Sequence, residues 1–229
     1  MANFGLSRPI IAKLNVEAGT YTDAFKCGSA INTSITPNYV SASLYADNMQ
    51  KEQVDEFSNA KVELGVDMVP VKAARLLFGH KITENGEETA NTEDSGAYVG
   101  YGFITSELKN SVKRYRACFL PKVKFTEGAE SYQTKGDSIQ FATPTLSGTA
   151  TCNNKKEWRF KSPYFDTEKE CDKWILEKMG LTEISDEDEG STGGTEAGGS
   201  TEPSGGNEPG GSYEGGGETD DTGEYEDTE

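Results

Sequence analysis

The sequence has little of what enzymes use for acid–base or metal chemistry. It contains a single histidine, His80, and four cysteines, none of which forms a CxxC pair with another. One histidine with dispersed cysteines does not match a zinc-ligand set of known spacing. His80 follows a predicted helix end, where a solvated or capping imidazole is expected rather than a general base. These residues therefore predict no catalytic, cofactor-binding or metal site. The cysteines are predicted to be reduced thiols packed in the interior.

Long apolar runs are also missing. No apolar stretch reaches about 18 residues, the length from which a membrane-spanning helix is inferred. The first 15 residues, MANFGLSRPIIAKLN, lack the apolar run of a signal peptide. We therefore expect no membrane anchoring, and synthesis inside the cell.

Basic residues are absent from the last part of the chain. Between Thr182 and Glu229 there are 16 Asp or Glu and no Lys or Arg, which leaves 23 acidic and 22 basic residues in 1–181. The last segment is rich in Gly, Ser and Thr and has too few apolar residues to offset the entropy of ordering. We predict a folded domain over 1–181 and a disordered acidic tail over 182–229. The tail is either a solvated brush that limits lateral association or an extension without function.

The body is rich in strand signals, with alternating apolar residues between Gly, Asn and Pro. The predicted strands lie at 9–15, 26–36, 60–67, 99–125 (a hairpin), 137–152 and 157–161. Cys27, Ile31 and Ile35 are predicted on one buried face of the second strand. Val62, Leu64 and Val66 are predicted on the buried face of the third. Residues 80–97 read as a polar loop or weak hairpin around Asn85 and Gly86.

Two helices are predicted beside the strands. Residues 70–79 suit a short helix because Pro70 fits a first turn and Gly79 a stop, with Val71, Ala74, Leu77 and Phe78 on one face. Residues 167–179 form the second, capped by Asp166 and ended by Gly180, with Cys171, Trp174, Ile175 and Met179 as its apolar stripe. The pattern predicts an α+β fold, mainly β, dominated by an antiparallel sheet or β-sandwich.

Residues 37–59 separate two predicted strands and are polar and acidic. They nevertheless contain Tyr39, Leu44, Tyr45 and Phe57. A connection of this length inside a compact domain usually has a function.

The predicted hairpin at 99–125 carries six Lys or Arg between Lys109 and Lys124. Cations mixed with aromatics are typical of proteins that bind single-stranded nucleic acid. Strict alternation, however, places Tyr115 and Phe119 on one face and the arginines on the other, so the aromatics are predicted to be core. The body is almost neutral and therefore lacks the electrostatic footprint of a nucleic-acid binder. The basic residues are expected to be solvated or to pair with acidic side chains of this or a neighbouring subunit.

The order of these blocks along the chain is specific. They are ITPNYVSASLYADN (35–48), FSNAKVELGVD (57–67), PVKAARLLFG (70–79), YVGYGFITSELKNSVKRYRACFLPKVKF (98–125), KGDSIQFATPTLSGTA (135–150) and DTEKECDKWILEKMG (166–180). Over roughly residues 5–180 the sequence strongly resembles the major tail protein, or tail tube protein, of long non-contractile bacteriophage tails. The acidic extension departs from the shorter members of that family.

The resemblance implies a β-sandwich of the tail-tube fold with a short flanking helix and a C-terminal helix. It also implies that copies form hexameric rings, stacked into a tube through which DNA passes without specific binding. Assembly in the host bacterial cytoplasm and a place in the virion tail follow, with no enzymatic activity and no cofactor. The implied partners are the tape-measure, tail terminator and tail-tip proteins.

The resemblance further implies that residues 37–59 and the chain ends make contacts between subunits or stacked rings. The candidate self-assembly residues are Tyr39, Leu44, Tyr45, Asp47 and Phe57. The candidate inter-subunit salt-bridge face consists of Lys113, Arg114 and Arg116.

A second hypothesis comes from a different class of protein, a phage tail-tip or surface carbohydrate-binding β-sandwich module with an acidic linker. Such modules usually display clustered Trp or Tyr side chains on a concave face. Trp158 lies in a predicted strand and Trp174 on the apolar stripe of a predicted helix. These positions favour packing over ligand binding.

Overall fold

Strands make up most of the molecule. The computed structural model describes residues 2–83, 85–109, 112–129, 134 and 143–185, all within the first of two units of the chain, Met1–Ser191. In order, the elements of this part are β1 (Ala2–Asn15), β2 (Thr20–Lys26), β3 (Ala30–Ala46), β4 (Met49–Val66), α1 (Val71–Leu77), β5 (Lys81–Ile82), β6 (Glu88–Thr89), β7 (Tyr98–Lys109), β8 (Val112–Glu127), β9 (Thr145–Ala150), β10 (Phe160–Lys161) and α2 (Glu168–Met179). The predicted mainly β class is confirmed. No helix in the described ranges is long and apolar enough to span a membrane.

Eight of the strands form one antiparallel sheet. Their order is β2-β1-β7-β8-β9-β4-β3, and β10 pairs with β8 outside this path. β8 is the branching strand, since Phe119 pairs with Phe160 of β10 whereas Val123 pairs with Ala150 of β9. Pro121 lies between these two pairings, where β8 changes partner and a backbone N–H is not needed.

Both faces of the central strands are covered. One face belongs to a core that includes Leu64 of β4, Tyr101 of β7 and Leu77 of α1. The opposite face packs under α2, where Phe119 of β8 meets Ile175. The predicted burial of Val62, Leu64 and Val66 is confirmed, as is that of Ala117 and Phe119, whereas Tyr115 is half-buried. Because the sheet is covered twice, alternate residues of β8 are buried on both sides.

The short helix α1 is confirmed, with Pro70 at its N-cap. Its buried residues are Ala73, Ala74 and Leu77. The prediction that Val71 shares this face is wrong, because Val71 is 43% exposed. A helix of seven residues has only two turns, so a small error in its phase moves a whole position out of the core.

The C-terminal helix α2 is also confirmed, but its cap lies one residue further along than predicted. Thr167, not Asp166, is the N-cap. Its Oγ1 accepts a hydrogen bond from the Glu170 backbone N–H at 3.3 Å, and a Glu170 carboxylate oxygen accepts one from the Thr167 N–H at 3.1 Å. This capping box satisfies two donors of the first turn. Gly180 ends the helix with a left-handed φ of 71°.

Residues 37–59 are not the predicted loop. β3 and β4 continue through them as one antiparallel ribbon, paired from Ala30–Val66 to Ala46–Met49 with three register shifts. Asp47 and Asn48 form the two-residue turn with φ angles of 54° and 61°, the left-handed values that a type I′ hairpin turn requires. Sequence reasoning missed these strands because the ribbon buries neither face, so its polar composition resembles that of a loop.

The predicted strand at 26–36 is divided in the structure. β2 ends at Lys26 and β3 begins at Ala30, with Gly28 between them at a φ of 62°. Ile31, predicted to be buried, is 49% exposed. Its side chain is displaced because the β3–β4 register shifts between Ala30 and Asn32.

The remaining predictions concern two hairpins and the C-terminal tail. The hairpin around Asn85 and Gly86 is confirmed as β5–β6, and the hairpin at 99–125 as β7–β8. Residues 110–111 and 135–142, and nearly all of the predicted tail, lie outside the described residues. The described chain continues past Leu181 to Ser185, whose backbone N–H donates to the Ala24 carbonyl at 2.7 Å.

Candidate assembly surface

The β3–β4 ribbon extends beyond the rest of the sheet, and we call residues 38–59 the arm. β9 pairs with β4 only over Ala60–Gly65, so within the described part of the chain no strand borders the arm. Every arm residue is exposed except Phe57 and Asn59, which are half-buried. The arm therefore presents two faces and two unpaired backbone edges.

One face of the arm is polar and internally hydrogen-bonded. Directly paired residues share a face of a ribbon, and Ser41 pairs with Asp55, and Ser43 with Gln53. Ser41 Oγ donates to Asp55 Oδ1, and Gln53 Nε2 donates to the same oxygen at 3.1 Å. These two hydrogen bonds, that from Ser41 first, hold the pKa of the Asp55 carboxyl below its usual value. This polar face satisfies its own side chains.

The opposite face of the arm is apolar. It carries Val40, Ala42, Leu44, Ala46, Met49 and Val54, with Glu52 and Glu56 among them. The four large apolar side chains are each more than half exposed, at 64% for Val40, 58% for Leu44, 59% for Met49 and 54% for Val54. Large apolar side chains exposed together on one face favour an interaction site.

The structure divides the five candidate self-assembly residues between these surfaces. Leu44 lies on the apolar face and Asp47 in the turn. Tyr39, Tyr45 and Phe57 lie on the polar face. Tyr39 meets Phe57 edge-on, with ring centroids 6.0 Å apart. Phe57 in turn stacks on Trp158 at 4.4 Å, so these rings join the root of the arm to the body.

The three candidate salt-bridge residues do not share one face. Lys113 lies 4.8 Å from the Tyr115 ring, on the face of β8 opposite to Arg114 and Arg116. Arg114 Nε lies 4.0 Å from Asp166 Oδ1, and both of these side chains are exposed. Arg116 Nε donates to the Ser162 carbonyl at 3.0 Å. The structure groups Arg116 with cations of β10 and its neighbour instead.

This group lines a cleft of about 260 Å³, which we call the cationic cleft. Its lining comprises Thr33, Ile35, Phe103, Thr105, Glu107, Arg116, Ala117, Cys118, Arg159 and Lys161. Sequence reasoning did not single out Arg159 and Lys161. Their alternation in EWRFK places them on one face of a strand, but only the pairing of Lys161 with Cys118 brings them beside Arg116. Burial raises the pKa of the Cys118 thiol to about 11, and Arg159, Lys161 and Arg116 oppose that rise.

His80 is buried and both its ring nitrogens face carboxylates, so the expected solvated or capping imidazole is not what the structure has. Its Nδ1 lies 2.6 Å from Glu88 Oε1 and its Nε2 lies 3.3 Å from Glu127 Oε1. The imidazole thus connects the β5–β6 hairpin to β8. Across the described ranges, no group of three His, Cys, Asp or Glu side chains is arranged to hold a metal ion.

The four cysteines are reduced thiols, as predicted. Cys27, Cys118 and Cys171 are buried, and Cys152 is half-buried. Burial raises the pKa of the Cys171 thiol to about 12. A thiol that stays protonated is a poor nucleophile, so the packed cysteines act as small apolar side chains.

Comparisons of the chain with models of known protein families and with curated proteins found no match. Function is therefore inferred from the arm, from the cationic cleft and from the ordered sequence blocks.

Proposed function

We propose that the chain is a structural subunit that assembles with copies of itself into stacked hexameric rings, forming the tail tube of a long-tailed bacteriophage. Its antiparallel sheet is then the β-sandwich of tail-tube subunits. The subunit has no enzymatic activity and binds no cofactor. The assembled tube conducts DNA during ejection. Its further partners are the tape-measure protein in the lumen and the terminator and tip proteins at the ends.

The observation that carries this proposal is the arm. A two-stranded hairpin is at best marginally stable in water by itself, and the arm adds to this an exposed apolar face. Burying each Val, Leu or Met side chain of that face against a partner is worth about 1.5–3 kcal/mol. A ribbon of this composition is stabilised by assembly, and repeated copies of the chain supply the partner.

The sheet edges support the same proposal. β2 and β3 end the strand order. In the described part of the chain, the outer edge of β3 is paired with no other strand, whereas the outer edge of β2 is bonded at one end by Ser185, which donates to the Ala24 carbonyl and bridges Phe25. Exposed strand edges favour association with other strands unless they are protected. Closing copies into a ring covers such edges while keeping the product finite.

The charge of the body suits a conduit for DNA. Residues 1–181 contain 23 acidic and 22 basic residues, so the body is almost neutral. A strongly basic wall would hold phosphates through counterion release and slow the passage of DNA.

The carbohydrate-binding alternative gains no support from the two tryptophans. Trp158 stacks on Phe57 at the root of the arm, and Trp174 packs against the core beneath α2. Both side chains are half-buried in these packing contacts.

Negative-stain electron microscopy and sedimentation velocity of the full-length protein test the proposal. We expect concentration-dependent association into six-fold rings or long tubes. A monomer at every protein and salt concentration would contradict it, and glycan-array binding by that monomer would favour the carbohydrate-binding alternative.

A further inference from the structure

The cationic cleft places three basic side chains on one face of the sheet. Lys161 of β10 pairs with Cys118 of β8, and residues two positions apart on a strand point to the same side. Arg159 and Arg116 therefore lie on the same face as Lys161. Their guanidinium groups are held by aromatic rings, Arg159 at 4.4 Å from the Trp158 ring and Arg116 at 5.1 Å from that of Tyr164. Such contacts orient the charged heads without neutralising them.

The positive charge of the cleft is not balanced within the described part of the chain. None of the carboxylates described there forms an ion pair with Arg116, Arg159 or Lys161. Glu107 is the one acidic residue of the lining, so the lining carries three cations against one anion. The side chains of Ile35 and Phe103 add an apolar wall. The cleft thus suits a carboxylate that comes with an apolar side chain beside it.

We propose that the cationic cleft receives the outer half of the arm of a second copy, with Glu52 as the carboxylate that its cations bind. This inference rests on the proposed function and names the surface with which the arm associates. It also assigns roles in assembly to Arg159 and Lys161.

The arm has the complementary charge. Residues 38–59 contain four acidic residues and one basic residue. Asp55 is engaged by Ser41 and Gln53, whereas Glu52 has no hydrogen bond or ion pair to any described residue. Glu52 pairs directly with Leu44 on the apolar face. One carboxylate and one leucine side by side match the cations and the apolar wall of the cleft.

The arm that fills the cleft cannot belong to the same copy. The cleft lies at the root of the arm, where Trp158 stacks on Phe57 and Thr33 of β3 enters the lining. Glu52 lies opposite Leu44, six residues beyond Asn38, which is about 20 Å along a strand that rises 3.3 Å per residue. Folding Glu52 back would break the β3–β4 ladder, so a neighbouring copy has to supply it.

Charge reversal in the full-length protein tests the pairing. Glu52→Lys and Lys161→Glu are made singly and together, and the critical concentration for assembly is measured by sedimentation velocity. We expect each single reversal to raise that concentration at least about tenfold, because like charges then face each other. The double variant should assemble at a concentration at least about threefold below that of Glu52→Lys alone, because the exchanged charges attract again. Recovery stays incomplete because Arg116 and Arg159 remain cationic. Gln53→Lys, on the opposite face of β4, and Lys169→Glu, on the exposed surface of α2, are the matched controls.

Wild-type assembly that persists unchanged in Lys161→Glu and in the milder Lys161→Gln would overturn this inference but leave the proposed function intact. The same holds if the double variant fails to recover. A wild-type chain that never associates would overturn both. A final experiment measures binding of a fluorescein-labelled single-stranded oligonucleotide. Binding that Lys161→Glu abolishes while assembly stays normal would identify a phosphate as the occupant and overturn the carboxylate assignment.

Discussion

Two long hairpins of this molecule have opposite environments. In β7–β8 residues such as Tyr101 and Phe119 are buried, because one core lies on one side of the strands and α2 covers the other. In the arm of β3–β4, 20 of the 22 residues are exposed. The backbone pairing of the two hairpins is alike: each is a long antiparallel ladder that contains register shifts.

The difference shows that strand pairing and burial are separate requirements. Hydrogen bonds within a ladder contribute little net free energy, since water offers the same bonds to the unfolded chain. The central hairpin is stabilised by the apolar area that it buries within the subunit. The arm has its apolar area still exposed, and we expect it to be buried in the assembly. Substitutions in β7–β8 should therefore change the free energy of unfolding of the subunit, whereas substitutions in the arm should change its assembly.

The largest effect on subunit stability is expected from Phe119→Ala in β8. Phe119 is 1% exposed, and its ring meets Tyr21 at 5.7 Å and Phe160 at 6.1 Å. Truncating a buried Phe removes its transfer free energy and leaves a cavity, so the free energy of unfolding should fall by about 3–5 kcal/mol. Chemical denaturation measures this change. Val54→Ala in the arm is the control and should stay within about 0.5 kcal/mol of wild type; equal losses would remove the distinction between the hairpins.

The largest effect on assembly is expected from Leu44→Asp on the apolar face of the arm. In the proposed pairing, Leu44 lies against the apolar wall of Ile35 and Phe103, where a carboxylate would have no partner. The proposed rings and tubes should therefore be lost while the subunit unfolds at the wild-type temperature. Ser43→Asp introduces the same charge next to it on the polar face and should leave assembly nearly intact. Tyr45→Ala, also on the polar face, should impair assembly less than Leu44→Asp.

Micrographs, sedimentation profiles and thermal unfolding of these three variants are to be compared. Normal tubes from Leu44→Asp would exclude the apolar face as an interface. Equal loss of tubes in Ser43→Asp would mean that the arm responds to charge rather than to the identity of the face.

A smaller effect is expected at the junction between the body and the ribbon. The Asp67 carboxylate accepts hydrogen bonds from the Ser29 N–H at 2.6 Å and from the Met68 N–H at 2.8 Å. These bonds, that from Ser29 first, hold the pKa of Asp67 below its ordinary value of 3.8. The ionised carboxylate therefore stabilises the folded state at pH values above the ordinary pKa. This contribution is lost as the pH falls through the lower pKa of the folded state.

Asp67→Asn should accordingly lower the free energy of unfolding at neutral pH by about 1 kcal/mol, a modest figure because the site is exposed to solvent. The difference from wild type should shrink at strongly acidic pH. Denaturation curves collected across the acid range measure it, and a difference that is independent of pH would contradict the assigned role of the charge.

Local signals predicted much of the body. The alternation of Val62, Leu64 and Val66 predicted their burial, and Pro70 and Gly180 marked the start of one helix and the end of the other. These features depend on neighbours in sequence, where a buried face or a fixed backbone dihedral leaves a direct pattern. The N-cap was misplaced by one residue because Asp166 and Thr167 are both suitable caps, and only the reach of Glu170 distinguishes them.

The arm and the cleft could not be predicted in the same way. In the arm, Val40, Ala42 and Leu44 alternate with Ser41 and Ser43, but residues 50–56 of β4 are almost all charged or amide side chains, so the segment as a whole resembles a polar loop. Arg159 and Lys161 are far in sequence from Arg116, and only the pairing of β10 with the first half of β8 brings the three together. The sequence placed the arginines of the 99–125 hairpin on one face, but it did not show that Lys113 lies on the other.

The sequence by itself determined that the protein is mainly β with two helices, that its body is nearly neutral and that its acidic excess lies in the last segment. Composition, periodicity and capping chemistry are local and do not require the fold. The tertiary structure alone decided that residues 38–59 are a projecting ribbon with one apolar face, that His80 is enclosed by two carboxylates and that three cations meet in one cleft. Each of these depends on which distant strands pair, and long-range pairing is a property of the whole packed chain.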